Sequence, residues 1–365
     1  MENIQQKTYP EFGGLTGGEI SIRLQILDNL LNTELETEFL KADLASSKQK
    51  KPLAPSGTEE NAKEDFMVIA HRGWSGAYPE NTLIGMREAI KLGCDMVEFD
   101  VGLTRDRKII IIHDDTLERT TNGAGRVRDW TYKELRALDA GSWFHPRYAG
   151  TKLPSLDEIL LICKGSNIQV NIEIKKDCWE EELREDGVEN LVIETVQKYK
   201  ATQRVVVSSF HWGFLERIHS LAPDIRTALL YLDPLPTLDL DELKQRYGPI
   251  AVNPFCRHLT QNFIDRAHDA GIKVFTFTIN SYQDMEKYLA MGVDGMFTNH
   301  PNRLSRYREE HHKRSRRMAR REKFEDEEDL RDAVRRLEIE ELEKARKRAR
   351  WRTKRILLEA ERKKS

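Results

Sequence analysis

Hydrophobic positions along this chain switch repeatedly between two periods. Short apolar runs rich in Val, Ile, Phe and Met fall at 67–71, 95–101, 168–175, 204–209, 225–231, 249–253, 272–279 and 295–298. Their length and β-branched content predict buried strands. Between them, apolar residues recur near 3.6-residue spacing over 155–164, 188–200, 211–221, 238–247, 261–270 and 281–291. These windows predict helices that each bury one face, with two more following residues 80–82 and beginning at about 301. Eight strands, each with a helix after it, predict an α/β fold, the (β/α)8 barrel of the TIM type.

One run breaks the rhythm. Lys108–His113 (Lys-Ile-Ile-Ile-Ile-His) has strand composition, yet only Gly102–Arg107 separates it from the strand before. A parallel crossover needs about a dozen residues. The run is therefore expected to fold back as a hairpin and return His113 to the level of Asp100. Residues 102–152 read as an insertion after strand 2, with a turn at Thr120–Gly123. It is expected over the C-terminal mouth, where barrels place their chemistry.

Outside the barrel, residues 66–302, the pattern changes. Residues 1–17 read as irregular. The remainder of an N-terminal segment, 1–45, predicts a helix with Ile20, Leu24, Leu27, Leu31, Leu35 and Phe39 on one stripe. Residues 46–65 are polar with Pro and Gly and read as a flexible linker. Residues 303–365 are charge-dense and predict a solvated helical tail.

Charge sharpens that division. The 365 residues carry a formal net charge of −2, but 302–365 hold 24 Lys and Arg against 15 Asp and Glu, leaving the remainder net acidic. The basic tail, 303–365, suits an anionic membrane surface, and its clusters at Lys313–Arg317 and Arg346–Arg352 offer contacts to nucleic acid. A purely binding or scaffold role through this tail is the alternative of another class. The interspersed acids disfavour nucleic acid as the partner. The four cysteines have no paired spacing, so neither a zinc knuckle nor a disulfide framework is indicated. No apolar run approaches membrane-spanning length, and the first residues lack a basic stretch followed by an apolar one. The expected compartment is the cytoplasm, with peripheral membrane contact through the tail.

The candidate chemistry begins in Gly93–Val101. Glu98 and Asp100 interrupt an otherwise buried strand, and period two points both the same way. Two bare carboxylates there repel each other and lose hydration. A divalent cation, an Arg or Lys partner, or an exposed strand end would each relieve this. Asn171-Ile172-Glu173-Ile174-Lys175 alternates likewise, so Glu173 and Lys175 join the same face. Oxygen donors suit Mg²⁺ or Ca²⁺. Arg72 and Lys175 can offset the remaining negative charge and bind an anionic substrate, for which a phosphodiester fits. His71 and His113 supply a proton acceptor and a proton donor. Taken singly, each motif has a bland reading: His113 can satisfy a backbone carbonyl and Asp114 cap a turn. Their convergence on one barrel mouth favours chemistry.

The chain resembles the glycerophosphodiester phosphodiesterase family over about residues 67–301. The resemblance rests on His71-Arg72-Gly73, Pro79-Glu80-Asn81-Thr82, Glu98-Phe99-Asp100-Val101, His113-Asp114, Arg119–Gly123, Leu153–Leu156, Asn171–Lys175, Ser208-Ser209-Phe210 and Gly292–Gly295, in family order. It implies a barrel with an insertion after strand 2 and metal-dependent cleavage of glycerophosphodiesters to glycerol 3-phosphate and an alcohol. The implied metal carboxylates are Glu98, Asp100 and Glu173. The implied catalytic histidines are His71 and His113, and the implied phosphate-binding residues Arg72 and Lys175. Some members assign the second histidine to the metal. A lysophospholipase D acting on membrane lysolipids would use the same chemistry. Three departures stand out: Asp106-Arg107 replaces Asp-Gly in the hairpin turn and is expected to alter only that turn. Phe277 replaces a pocket Trp. Thr298-Asn299 replaces Thr-Asp, which would remove one pocket carboxylate.

Overall fold

The computed structural model describes residues 66–232 and 239–317, with two short backbone stretches near the N-terminus. The chain divides into two compact units, residues 1–60 and 61–365. In the first, Thr8–Tyr9 and Leu15–Thr16 pair antiparallel, so a stretch read as irregular carries a small ladder. The helix expected within 19–45, the 46–65 linker and the tail beyond 317 lie outside the described residues.

In the second unit the strands are β1 (Met67–Ala70), β2 (Met96–Leu103), β3 (Ile109–Ile111), β4 (Gln169–Ile174), β5 (Val205–Ser209), β6 (Arg226–Tyr231), β7 (Pro249–Pro254), β8 (Lys273–Thr276) and β9 (Gly295–Thr298). All but β3 run parallel. Pairing of β9 with β1, from Gly295 opposite Met67 to Thr298 opposite Ala70, closes an eight-stranded barrel. Helices α1 (Leu83–Leu92), α2 (Tyr132–Leu135), α3 (Leu156–Cys163), α4 (Val188–Lys198), α5 (Trp212–Leu221), α6 (Leu240–Tyr247), α7 (Gln261–Asp269) and α8 (Tyr282–Ala290) follow the chain order, and 301–317 is helical. From this last helix Arg308 reaches back to Asp95 and the Phe66 carbonyl at the base of the barrel. Among the described residues, no helix is long and apolar enough to cross a membrane.

Local chemistry sets the element ends. Thr82 caps α1, and Gly93, at φ 83°, ends it with its N–H on the Ala89 and Ile90 carbonyls. A reciprocal Ser155/Glu158 capping box opens α3. Strand β8 stops at Thr276 rather than at 279. Beyond it the pairing is reduced to single contacts, Phe277 with Phe255 and Ile279 N–H with the Phe297 carbonyl.

The hairpin forms as expected. Val101, Gly102 and Leu103 oppose Ile111, Ile110 and Ile109, and Ile112 N–H donates to the Asp100 carbonyl at 3.1 Å. The insertion has its own core of Ile110, Ile112, Leu117, Val127, Leu135, Ala140 and Leu153. Each buried Ile, Leu or Val there contributes about 1.5–3 kcal/mol. The turn does more than expected. Arg107 takes a left-handed φ of 58°, and its guanidinium forks onto Glu180 at 2.9 and 2.7 Å, tying the hairpin to the segment after β4.

Inside the barrel, Ile69, Met96, Val206, Ala228, Ala251, Phe275 and Phe297 form an apolar plug. Alternate residues of a strand share a face. The next inward positions towards the C-terminal mouth are therefore His71, Glu98, Ser208, Leu230, Asn253, Phe277 and Asn299. The plug seals water out from below, so charges at that level sit in a low-dielectric setting.

Candidate active site

Strand register assembles the acidic cluster. In the β2–β4 ladder Asp100 lies opposite Glu173, and Glu98 opposite Asn171. Glu98, Asp100 and Glu173 are buried, and one oxygen from each lies within 4.8 Å of the others. One oxygen of each accepts a hydrogen bond. Glu98 Oε2 accepts from Arg72 N–H at 2.8 Å, and Asp100 Oδ2 accepts from Asn81 Nδ2 at 2.8 Å. Glu98 Oε1 and Asp100 Oδ1, by contrast, are buried without a hydrogen bond. Orphaned acceptors of this kind carry a full desolvation penalty. A divalent cation accepting hard oxygen donors fits these residues.

Basic partners are present as well, the second of the arrangements that relieve paired carboxylates. Lys175 Nζ donates to Glu173 Oε1 at 2.7 Å and stands 3.3 Å from Asp100 Oδ1 without hydrogen-bond alignment. Arg72 Nε lies 3.5 Å from Asp100 Oδ2. Two cations against three carboxylates leave the cluster under-neutralised. Burial, then the neighbouring Asp100, pushes Glu173 up to about 7, and burial with Asp100 and Glu173 raises Glu98 well above the usual carboxylate range. Burial acts upward on Asp100 too, but Lys175 and Arg72 outweigh it and hold that carboxyl low.

The histidines flank this cluster with different partners on Nδ1. His71 Nδ1 lies 2.7 Å from Asn299 Oδ1. His113 Nδ1 lies 2.6 Å from Asp114 Oδ1. Burial and the adjacent Arg72 drop the His71 imidazole to about 4. Burial also lowers His113. Neither ring binds a backbone carbonyl through Nδ1, and Asp114 holds an imidazole instead of capping a turn.

Behind these residues lies a charged network that sequence reasoning missed. Arg119 bridges Glu80, at 2.8 and 2.9 Å, and Asp114, at 2.6 and 3.0 Å. Glu80 in turn accepts from Arg72 at 3.0 Å. One guanidinium thus couples the insertion that carries His113 to the loop that carries Arg72. Glu80, Asn81, Asp114 and Arg119 all fall inside recognisable motifs. Their presence was visible, but their partners lie up to 39 residues away. The His71-Arg72-Gly73 turn is sterically demanding. Arg72 and Gly73 take φ of 56° and 75°. A Cβ on Gly73 would sit 2.8 Å from the Gly85 backbone in α1.

A cavity of about 290 Å³ opens over the site, near the lower end of the ~300–1,000 Å³ common for small-molecule pockets. Its polar wall includes His71, Arg72, Glu98, His113, Asn171, Glu173 and Ser208; its other wall is Phe210, Leu230, Leu232, Phe255, Phe277 and Phe297. Asp100 and Lys175 stand immediately behind the polar wall. The structure thus brings all seven sequence-derived site residues to one mouth.

Comparison with known proteins agrees with this geometry. Residues 71–303 match the model of the glycerophosphoryl diester phosphodiesterase family. A glycerophosphodiester phosphodiesterase of Bacillus altitudinis is 37% identical over 67% of this chain and 98% of its own length. That of Caldanaerobacter subterraneus is 35% identical over 65% and 96%. A phosphodiesterase of Oleispira antarctica, solved in complex with the product sn-glycerol-3-phosphate, is 29% identical with a TM-score of 0.59, covering 66% of this chain and 95% of that one. On the match across 71–303 and the relatives at 35–37% identity, this chain belongs to the glycerophosphoryl diester phosphodiesterase family.

Proposed function

We propose that this phosphoric diester hydrolase cleaves glycerophosphodiesters to glycerol 3-phosphate and an alcohol. Glu98, Asp100 and Glu173 would hold a divalent cation, Mg²⁺ or Ca²⁺. The observation that carries this is the cluster of three buried carboxylates with oxygens within 4.8 Å of one another, Glu98 Oε1 without a hydrogen bond, beside a cavity shared with two imidazoles. The relative solved with glycerol 3-phosphate supports the substrate class.

When bound, the cation supplies Lewis-acid stabilisation of the negative charge that grows on the phosphoryl oxygens. Arg72 and Lys175 orient the phosphodiester and add fixed positive charge. One imidazole takes the proton of the attacking hydroxyl, either a neighbouring glycerol oxygen or water. The other returns a proton to the departing alkoxide, so no free alkoxide is released. The apolar plug beneath and the aromatic wall beside the site limit competing water.

Purified protein with glycerophosphocholine and Mg²⁺ or Ca²⁺ is expected to release choline. His71→Ala or Glu98→Gln should lower turnover by about 10²-fold or more. Undiminished choline release from either variant would reject the assigned roles.

The apolar wall favours a second reading, a lysophospholipase D. Six apolar side chains line that half of the cavity, and Leu232 is 52% exposed. An acyl chain would bury against this surface. The basic tail would add about 1 kcal/mol per Lys or Arg near an anionic membrane. Choline release from lysophosphatidylcholine against glycerophosphocholine, and liposome flotation with and without residues 303–365, separate the readings.

A further inference from the structure

We infer that Asn299 is a positioning residue for His71: it anchors Nδ1 of the imidazole and so leaves Nε2 as the ring atom that meets the phosphodiester. This rests on the proton-transfer role proposed for His71 and adds what orients it. The anchoring oxygen, Asn299 Oδ1, lies 2.7 Å from Nδ1. Ser75 Oγ stands 3.1 Å from the same oxygen and donates to the His71 carbonyl at 2.7 Å, so one hydroxyl spans both residues.

The anchor is itself fixed. Asn299 N–H donates to Asn280 Oδ1 at 2.9 Å, and its carbonyl accepts from Gly76 N–H at 2.8 Å. The first ties the end of β9 to the segment before α8, and the second ties it to the loop after β1. His71 N–H also donates to the Thr298 carbonyl at 3.0 Å. The ring is therefore located by both its backbone and its Nδ1.

The chemistry follows from the amide. A carboxamide oxygen accepts a hydrogen bond but does not take a proton at working pH. Nδ1 must then carry the hydrogen, and Nε2 keeps its lone pair. The charged groups facing His71 are Arg72 beside it, Asp100 from β2 and Glu80 from the loop before α1. None of these occupies Nδ1. The Asn299 side chain thus sets the tautomer of a residue 228 positions away.

The test uses the full chain supplemented with Mg²⁺ and labelled with ¹⁵N at histidine, together with Asn299→Leu and Asn299→Asp. The expected wild-type spectrum shows His71 with hydrogen on Nδ1. Asn299→Leu keeps the branched heavy-atom shape, removes the acceptor, mixes the two tautomers and lowers kcat by about 10²-fold, the low end for a positioned proton-transfer group, while KM changes little. Asn299→Asp restores the acceptor, the tautomer and most of kcat. A wild-type spectrum with hydrogen on Nε2, or Asn299→Leu with unchanged imidazole signals and kcat, overturns the inference. Should the Leu variant not fold, the wild-type and Asp spectra still decide it. His71→Ala separates the two claims: full activity there rejects the role of His71 itself, whereas an inactive His71→Ala beside a fully active Asn299→Leu rejects only the positioning.

Discussion

Metal binding should expel protons, and its affinity should climb with pH. Glu173 keeps its proton to about 7 in the folded, metal-free chain against 4.5 for an ordinary glutamate, mainly through burial and then Asp100. Such a group stabilises the fold fully below pH 4.5, and the contribution is lost as pH rises through 7. The difference is about 3 kcal/mol. Glu98 is displaced in the same direction by burial, Asp100 and Glu173. Asp100 runs the other way: Lys175 and Arg72 overcome its burial, so it stays ionised and loses its contribution only in acid. Across pH 5.5–8 the titration of Glu173 dominates. A divalent cation binds the ionised form, so each glutamate must surrender its proton on loading. Affinity should therefore rise about tenfold per pH unit for each proton displaced, up to two where both glutamates start protonated. Titration calorimetry of metal-stripped protein with Mg²⁺ or Ca²⁺, in two buffers of different protonation enthalpy, counts those protons directly. Thermal melts should show a metal-induced rise in Tm that grows with pH. Glu173→Gln should remove one proton from the count and flatten the slope. Affinity independent of pH over this range, with no proton release, would refute the reasoning.

Further outcomes follow from the second layer of contacts. Asn81→Ala removes two hydrogen bonds to buried Asp100, at 2.8 and 3.2 Å, from a residue at φ 56°; urea denaturation should show a loss of about 2–4 kcal/mol. Arg119→Met breaks the bridge between Glu80 and Asp114 on a side chain 44% exposed. Stability should change by less than about 1 kcal/mol, whereas steady-state kinetics should show a clear fall in kcat/KM, because Arg72 and the His113 partner both lose a fixed neighbour. Phe277→Asn places a polar group in the apolar wall. Paired assays should show turnover of lysophosphatidylcholine falling more than that of glycerophosphocholine if that wall takes an acyl chain.

The motifs resolve at a different level from their connections. His71, Glu98, Asp100, His113, Glu173 and Lys175 were each readable because strand alternation assigns a face and barrels expose one end of every strand. The hairpin was readable because six residues cannot make a parallel crossover. Arg107 was misjudged because its partner, Glu180, is 73 residues away and no local rule links them. Asn299 is legible as the loss of a carboxylate, but its contact with His71 arises only when β9 pairs with β1.

The sequence by itself determined the strand and helix rhythm, the eightfold repeat, the inward face of each strand and the residue types at the mouth. These follow from periods of 2.0 and 3.6, which act over a few residues. Only the closed barrel decided which polar atoms meet: β9 on β1 brings Asn299 to His71, and the insertion folding over brings Arg119 between Glu80 and Asp114. Hydrogen bonds end within about 3 Å, so their partners are chosen by closure and register, which no local stretch of chain encodes.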